Sequence, residues 1–148
     1  MKSTLKILFA DDDLKYSLVL KRFLEREGYE VTYTGNGTMA LEQFPVVKPD
    51  LVLLDIQLPI LNGLEVLKTI RKTSSVPVLM LTAFHDEDYK LTAFGELADG
   101  YLEKPFSLSL LKVRIEAIFK KLQLTVVHLM ERHGWTWRVI TAALAGQA

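Results

Sequence analysis

Two short runs in this chain are apolar at every position, Leu51-Val52-Leu53-Leu54 and Val78-Leu79-Met80-Leu81. A strand with one wet face alternates, so a strand without a polar face has to be covered on both sides. Further β-rich runs stand at Leu5–Ala10, Glu30–Thr34 and Gly100–Leu102, and the run holding Val78 is read from Val76 to Leu81. Helix-length segments separate them. Leu14, Leu18, Lys21, Leu24 and Glu27 share one helical spacing, which Gly28 ends. Met39 to Phe44 reads as a second helix, opened by Asn36-Gly37-Thr38. Leu64, Leu67, Ile70 and Arg71 mark a third, and a weaker pattern from Asp86 to Phe94 a fourth. Leu108, Leu111, Ile115, Ile118, Phe119 and Leu122 mark the last, with Ser107 as its N-cap.

Strand then helix, five times over, predicts an α/β fold with a parallel sheet and right-handed crossovers. Five strands in roughly 120 residues suit a flavodoxin-like doubly wound sheet of order 2-1-3-4-5. Ligands of such sheets sit at the carboxyl ends of the strands, beside the switch point between strands 1 and 3. The 148 residues suffice for one domain with a real core and not for two.

That rule selects residues. Strand 1 runs into Asp11, Asp12 and Asp13, strand 3 into Asp55, strand 4 into Thr82, and strand 5 leads to Lys104. Two carboxylates ~4 Å apart repel by roughly 4 kcal/mol at an effective dielectric near 20. A cluster of three must therefore take up protons or hold a cation. A hard, oxygen-only site open to water is what magnesium prefers. A carboxylate beside that ion can attack phosphorus and give an acyl phosphate, with a lysine offsetting charge on the transferring group. Asp55 stands alone at the end of a central strand and is the best nucleophile candidate. Asp11 and Asp12 would be committed to metal.

These residues also carry a resemblance. Asp11-Asp12 after strand 1, Leu53-Leu54-Asp55-Ile56-Gln57-Leu58-Pro59 with Asn62-Gly63, Leu81-Thr82-Ala83, and Tyr101-Leu102-Glu103-Lys104-Pro105-Phe106 resemble the receiver domain of two-component response regulators. The resemblance covers roughly residues 4 to 122, with five motifs in the family's order. It implies that Asp55 accepts a phosphoryl group from the phosphohistidine of a sensor histidine kinase or a phosphotransfer protein. It implies that Asp12 ligates Mg2+ directly and Asp11 mainly through water, with Asp55 and the Gln57 backbone carbonyl completing the protein ligands. Lys104 would contact the phosphoryl group, beside a cis bond to Pro105. Thr82 and Tyr101 match the family's switch pair. The run from Lys104 to Ile115 is most similar to receivers that precede winged-helix domains. Those dimerise through the fourth helix, fifth strand and last helix. The resemblance implies a homodimer through that face, which Asp99 and Arg114 match, while Gly100 replaces its usual second acid and Leu97 a common glycine.

Other readings of the same residues are weaker. Asp13 fits a helix cap better than a ligand. An Asp-x-Asp after strand 1, here Asp11 and Asp13, also begins haloacid-dehalogenase-like phosphatases. That family needs a later acidic pair, which is missing after Lys104, and Asp55 would have no task. An EF-hand loop fails at Lys15, where a ligand oxygen is required. His85, His128 and His133 lack metal-ligand spacing and read as surface or packing residues. The acceptor is a switch more than an enzyme. A phosphate shuttle or sink in a relay is the alternative role.

Composition narrows the partners. Eighteen basic and eighteen acidic side chains give no net charge, which removes any whole-chain electrostatic reason to bind nucleic acid or an anionic membrane. With no cysteine, disulfides and thiolate sites are excluded, which fits a reducing cytoplasm. The apolar run before Asp11 is too short for a signal peptide, and no stretch approaches the ~18 apolar residues of a spanning helix. A cytoplasmic protein is expected. Residues 1–122 read as the receiver and 123–148 as an apolar helical tail with Trp135, Trp137, Val139, Ile140 and Leu144, broken near Gly134. That tail is too apolar to dangle in water, so it packs on the receiver, joins two chains, or is the stub of an output region.

Overall fold

The computed structural model describes residues 4–83 and 97–134, with the backbone alone for 124–133. The elements run β1 (Lys6–Ala10), α1 (Leu14–Arg26), β2 (Glu30–Thr34), α2 (Gly37–Val47), β3 (Leu51–Asp55), α3 (Gly63–Arg71), β4 (Val78–Thr82), β5 (Gly100–Glu103) and α4 (Leu108–His133). All strand pairs are parallel and the order is β2-β1-β3-β4-β5, the doubly wound sheet the pattern predicts. The helical pattern at Asp86–Phe94, His85 and the two tryptophans lie outside the described residues.

Alternate residues of each strand feed opposite cores. Leu8, Ala10, Val52, Leu54, Val78 and Met80 pack on one face with Ala40 of α2 and Val66, Leu67 and Ile70 of α3. Ile7, Phe9, Leu51, Leu53, Leu79 and Leu81 pack on the other with Leu20 and Leu24 of α1 and Leu111 and Ile115 of α4. Period-2 side-chain direction converts an all-apolar run into two half-cores, so neither run could sit on an edge.

Four helices begin at side-chain caps. Asp13 accepts from Tyr16 N, Asn36 from Met39 N, Asn62 from Glu65 N and Ser107 from Leu110 N. Each bond satisfies a backbone donor that the first turn leaves over. Gly28, with φ +99°, turns the chain out of α1.

Some boundaries move for identifiable reasons. β4 starts at Val78, not Val76, because Pro77 has no N–H and Val76 N instead reaches Ser74 Oγ at 3.0 Å. α2 continues through Pro45 to Val47. It ends where Lys48 turns left-handed (φ 52°) and donates to Phe44 O at 3.0 Å. The last helix runs past residue 122 without a break and ends at Gly134, itself left-handed with φ 64°. No helix among the described residues is long and apolar enough to cross a membrane.

A clamp holds the sheet edge farthest from the strands' carboxyl ends. Arg71 at the end of α3 donates to Leu97 O (2.7 Å), Val76 O (2.7 Å) and Ser74 O (3.3 Å), and pairs with Asp99 (3.1 Å). Asp99 Oδ2 also accepts from Val78 N at 2.7 Å, so the amino ends of β4 and β5 share one anchor.

Candidate functional site

Asp11 follows β1 with its backbone held by β2, since Asp11 N donates to Thr34 O at 3.2 Å and Tyr33 Oη to Asp11 O at 2.5 Å. Its side chain is fully buried, and Asp13 N donates to its Oδ1 at 2.9 Å. Asp55 closes β3 and is nearly as buried; Gln57 N donates to its Oδ1 at 3.0 Å. Asp12 faces solvent. Carboxylate oxygens of Asp11, Asp12 and Asp55 all lie within 4.8 Å of one another, so the predicted cluster forms.

Lys104 arrives from beyond β5 on a cis bond to Pro105. Its Nζ bridges Asp11 Oδ2 (2.7 Å) and Asp55 Oδ2 (2.8 Å). Burial works against the ammonium, but the hydrogen bonds and charges of the two aspartates outweigh it and raise its pKa. Burial also raises the pKa of Asp55, and here Lys104 does not fully compensate. Desolvation is thus the larger influence on the Asp55 carboxyl. Three carboxylates against one ammonium leave excess negative charge in a buried crevice. That donor set fits a hard divalent cation entering from the Asp12 side.

A cation at this cluster would have to compete with Lys104 for Asp11 and Asp55. Lys104→Ala is expected to bind Mg2+ at least about ten-fold more tightly, since a fixed positive charge a few ångströms away is removed. Titration calorimetry checks this, and equal affinities would contradict the competition.

Thr82 is fully buried at the end of β4, where its Oγ1 donates to Ala83 O at 2.8 Å. Tyr101 pairs in register with Met80, and the residue is 43% exposed. Asp13 lies outside the cluster: it caps α1, as expected, and offers no acid to a phosphatase reading. Asp99 and Arg114 are not brought together within the chain, for Asp99 is paired with Arg71 and Arg114 is exposed on α4.

Of two further neighbours of the site, the sequence reading had Gly63 in its Asn62-Gly63 motif, without the contact it makes, and missed Tyr16. Gly63 packs its Cα on the β3 terminus so closely that a Cβ would stand 2.0 Å from Asp55 O. Tyr16, in the first turn of α1, has Lys104 Nζ over its ring at 5.6 Å and meets Phe106 edge-on at 5.9 Å. Burial pushes its phenol up to about 12, so it stays protonated. Aromatic spacing around a strand-end lysine was the only available signal, and it crosses more than eighty residues of sequence.

The family model described as response regulator receiver domain matches residues 7–116. The chain is 42% identical over 116 residues to the transcriptional regulatory protein CpxR homolog of Haemophilus influenzae, covering 78% of this chain and 51% of that protein. It is 40% identical over 117 residues to the alkaline phosphatase synthesis transcriptional regulatory protein PhoP of Bacillus subtilis, covering 78% and 49%. It thus spans about half the length of the curated relatives it matches. Among solved structures, the receiver domain of the Francisella response regulator 1452 superposes with a TM-score of 0.74 at 32% identity, covering 80% of this chain and 99% of that one. A CheY-like receiver domain protein of Methanospirillum hungatei gives 0.78 at 27%, covering 83% and 99%. With the family model matching most of the chain and relatives 40% or more identical over 78% of it, this chain belongs to the response regulator receiver domain family.

Proposed function

We propose that Asp55 accepts a phosphoryl group from the phosphohistidine of a sensor histidine kinase or phosphotransfer protein. The single observation that carries this reading is the buried Asp55 carboxylate held between Gln57 N and Lys104 Nζ within an acidic cluster. An Asp55 oxygen forms the new O–P bond as the P–N bond of the donor breaks, and the electron pair leaves with the imidazole. Asp11, Asp12, Asp55 and the Gln57 carbonyl would hold Mg2+, which supplies charge neutralisation for the phosphoryl oxygens. Lys104 then exchanges part of its pairing with the carboxylates for a phosphoryl oxygen. The Thr82 hydroxyl gives up Ala83 O to donate to another, and Tyr101, exposed at rest, turns inward. Such a switch biases a pre-existing equilibrium between two conformations. Intact mass before and after a small phosphodonor is the test. A magnesium-dependent gain of one phosphoryl group supports the reading, and no gain in any condition defeats it.

We further propose that the chain beyond residue 122 joins two copies, with Asp99 and Arg114 at the margin of the same face. The 26 residues of α4 span about 39 Å, roughly twice the reach of a five-residue strand. In the sequence, Leu122, Val126 and Leu129 follow at helical spacing from Ile115 and Ile118, which meet the receiver core. Removing residues 123–148 is expected to halve the native mass. An intact chain that is already a monomer would rule the proposal out.

A further inference from the structure

Lys104 has three N–H donors, and the two aspartates account for two. A four-carbon side chain reaching a cluster through solvent-accessible space has many other places to be. It loses one of its two anchors whenever a divalent cation takes Asp11. What else defines its position is Tyr16. Asp13 Oδ1 accepts Tyr16 N and fixes that residue in the first turn of α1, on the side facing the end of β5. Phe106, two residues beyond Lys104, meets the Tyr16 ring edge-on at an interplanar angle of 76° and locks its plane. The ring then lies 5.6 Å from Lys104 Nζ, within the range at which a ring face attracts an ammonium.

We propose that Tyr16 is a positioning residue for Lys104: its ring face holds the ammonium beside Asp55 when the bond to Asp11 is given up. The inference rests on Asp55 being the acceptor, but the contact itself exists without phosphorylation. The ring is the working part and the hydroxyl is dispensable. An aliphatic side chain of similar bulk fills the space without attracting charge.

The test compares Tyr16→Phe and Tyr16→Leu in the full chain. In metal-free protein, the Lys104 ammonium signal in nitrogen-15 NMR, assigned by its loss in Lys104→Ala, is expected to persist in Tyr16→Phe and to broaden away in Tyr16→Leu through faster hydrogen exchange. Phosphorylation by a small donor is expected to slow about five-fold in Tyr16→Leu and less than about two-fold in Tyr16→Phe, the scale of an exposed-to-half-buried cation–π contact. Adding Tyr16→Leu to Lys104→Ala is expected to slow it no further. Equal losses in the two Tyr16 variants, or additivity with Lys104→Ala, would overturn the role. A parent chain that takes up no phosphoryl group would refute the acceptor reading alone, because the NMR comparison still decides whether Tyr16 holds Lys104.

Discussion

Asp55→Asn is expected to lose phosphoryl uptake by at least about a hundred-fold, since an amide oxygen is a far weaker nucleophile than a carboxylate. The same variant should be more heat-stable than the parent in metal-free buffer near neutral pH. Burial raises the pKa of Asp55 in the folded chain above its unfolded value. A group shifted that way favours folding while it is protonated, below its unfolded pKa, and that contribution disappears as pH rises through the folded value. At neutral pH the ionised Asp55 therefore costs stability, and asparagine removes the cost while still able to accept from Gln57 N. Magnesium is expected to reverse the ranking, because an ion held by the parent's three carboxylates would stabilise the folded state in proportion to the logarithm of its concentration. Melting curves with and without Mg2+ check both directions. An asparagine variant that melts lower without the ion, or keeps its labelling, would contradict the account.

Gly63→Ala is the substitution expected to harm the fold most. Its Cβ would stand 2.0 Å from Asp55 O, 2.8 Å from Asp55 C and 2.9 Å from Ile56 Cα. All three are backbone atoms, and Gly63 N already donates to Ile56 O at 2.7 Å, so neither side can retreat without breaking the β3–α3 turn. A loss on the order of 3 kcal/mol is expected, a fall in Tm of about 10 °C for a chain of this size. The control is Gly100→Ala, whose Cβ meets the movable tip of Leu79 at 3.4 Å and should change stability by less than about 1 kcal/mol. Similar melting temperatures for the two variants would show that the turn is softer than its geometry. Because the displaced atoms belong to Asp55 itself, Gly63→Ala should also slow phosphorylation beyond what its stability loss explains.

The parts legible in the sequence are those written in local periodicity or at strand ends. Leu51–Leu54 and Val78–Leu81 announce covered strands because both side-chain directions are apolar, and Asp11, Asp12, Asp55, Thr82 and Lys104 follow from where such strands stop. Pairing across the fold leaves no such trace. Arg71 sits on a helical stripe and reads as its polar margin, yet it binds Leu97 and Asp99 more than twenty residues away. Tyr16 reads as an ordinary position of α1, and only the approach of β5 gives it Lys104 and Phe106. The length of α4 was hidden for a different reason: Gly134 marks the stop, but nothing local distinguishes one continuous helix from two.

The Arg71–Asp99 clamp has a mechanical consequence. β5 is riveted at its amino end, where Asp99 is bound to Arg71 and to Val78 N, while its carboxyl end is tied to the sheet's chemistry through Lys104. A strand pinned at one end cannot slide along its neighbour. With Lys104 N also donating to Thr82 O at 2.7 Å, a pull on Lys104 is expected to turn β5 and the end of β4 together about a fixed fulcrum. Tyr101 stands only two residues from that fulcrum. Its displacement is therefore expected to be small and its change one of direction, as a door's hinge side turns without travelling.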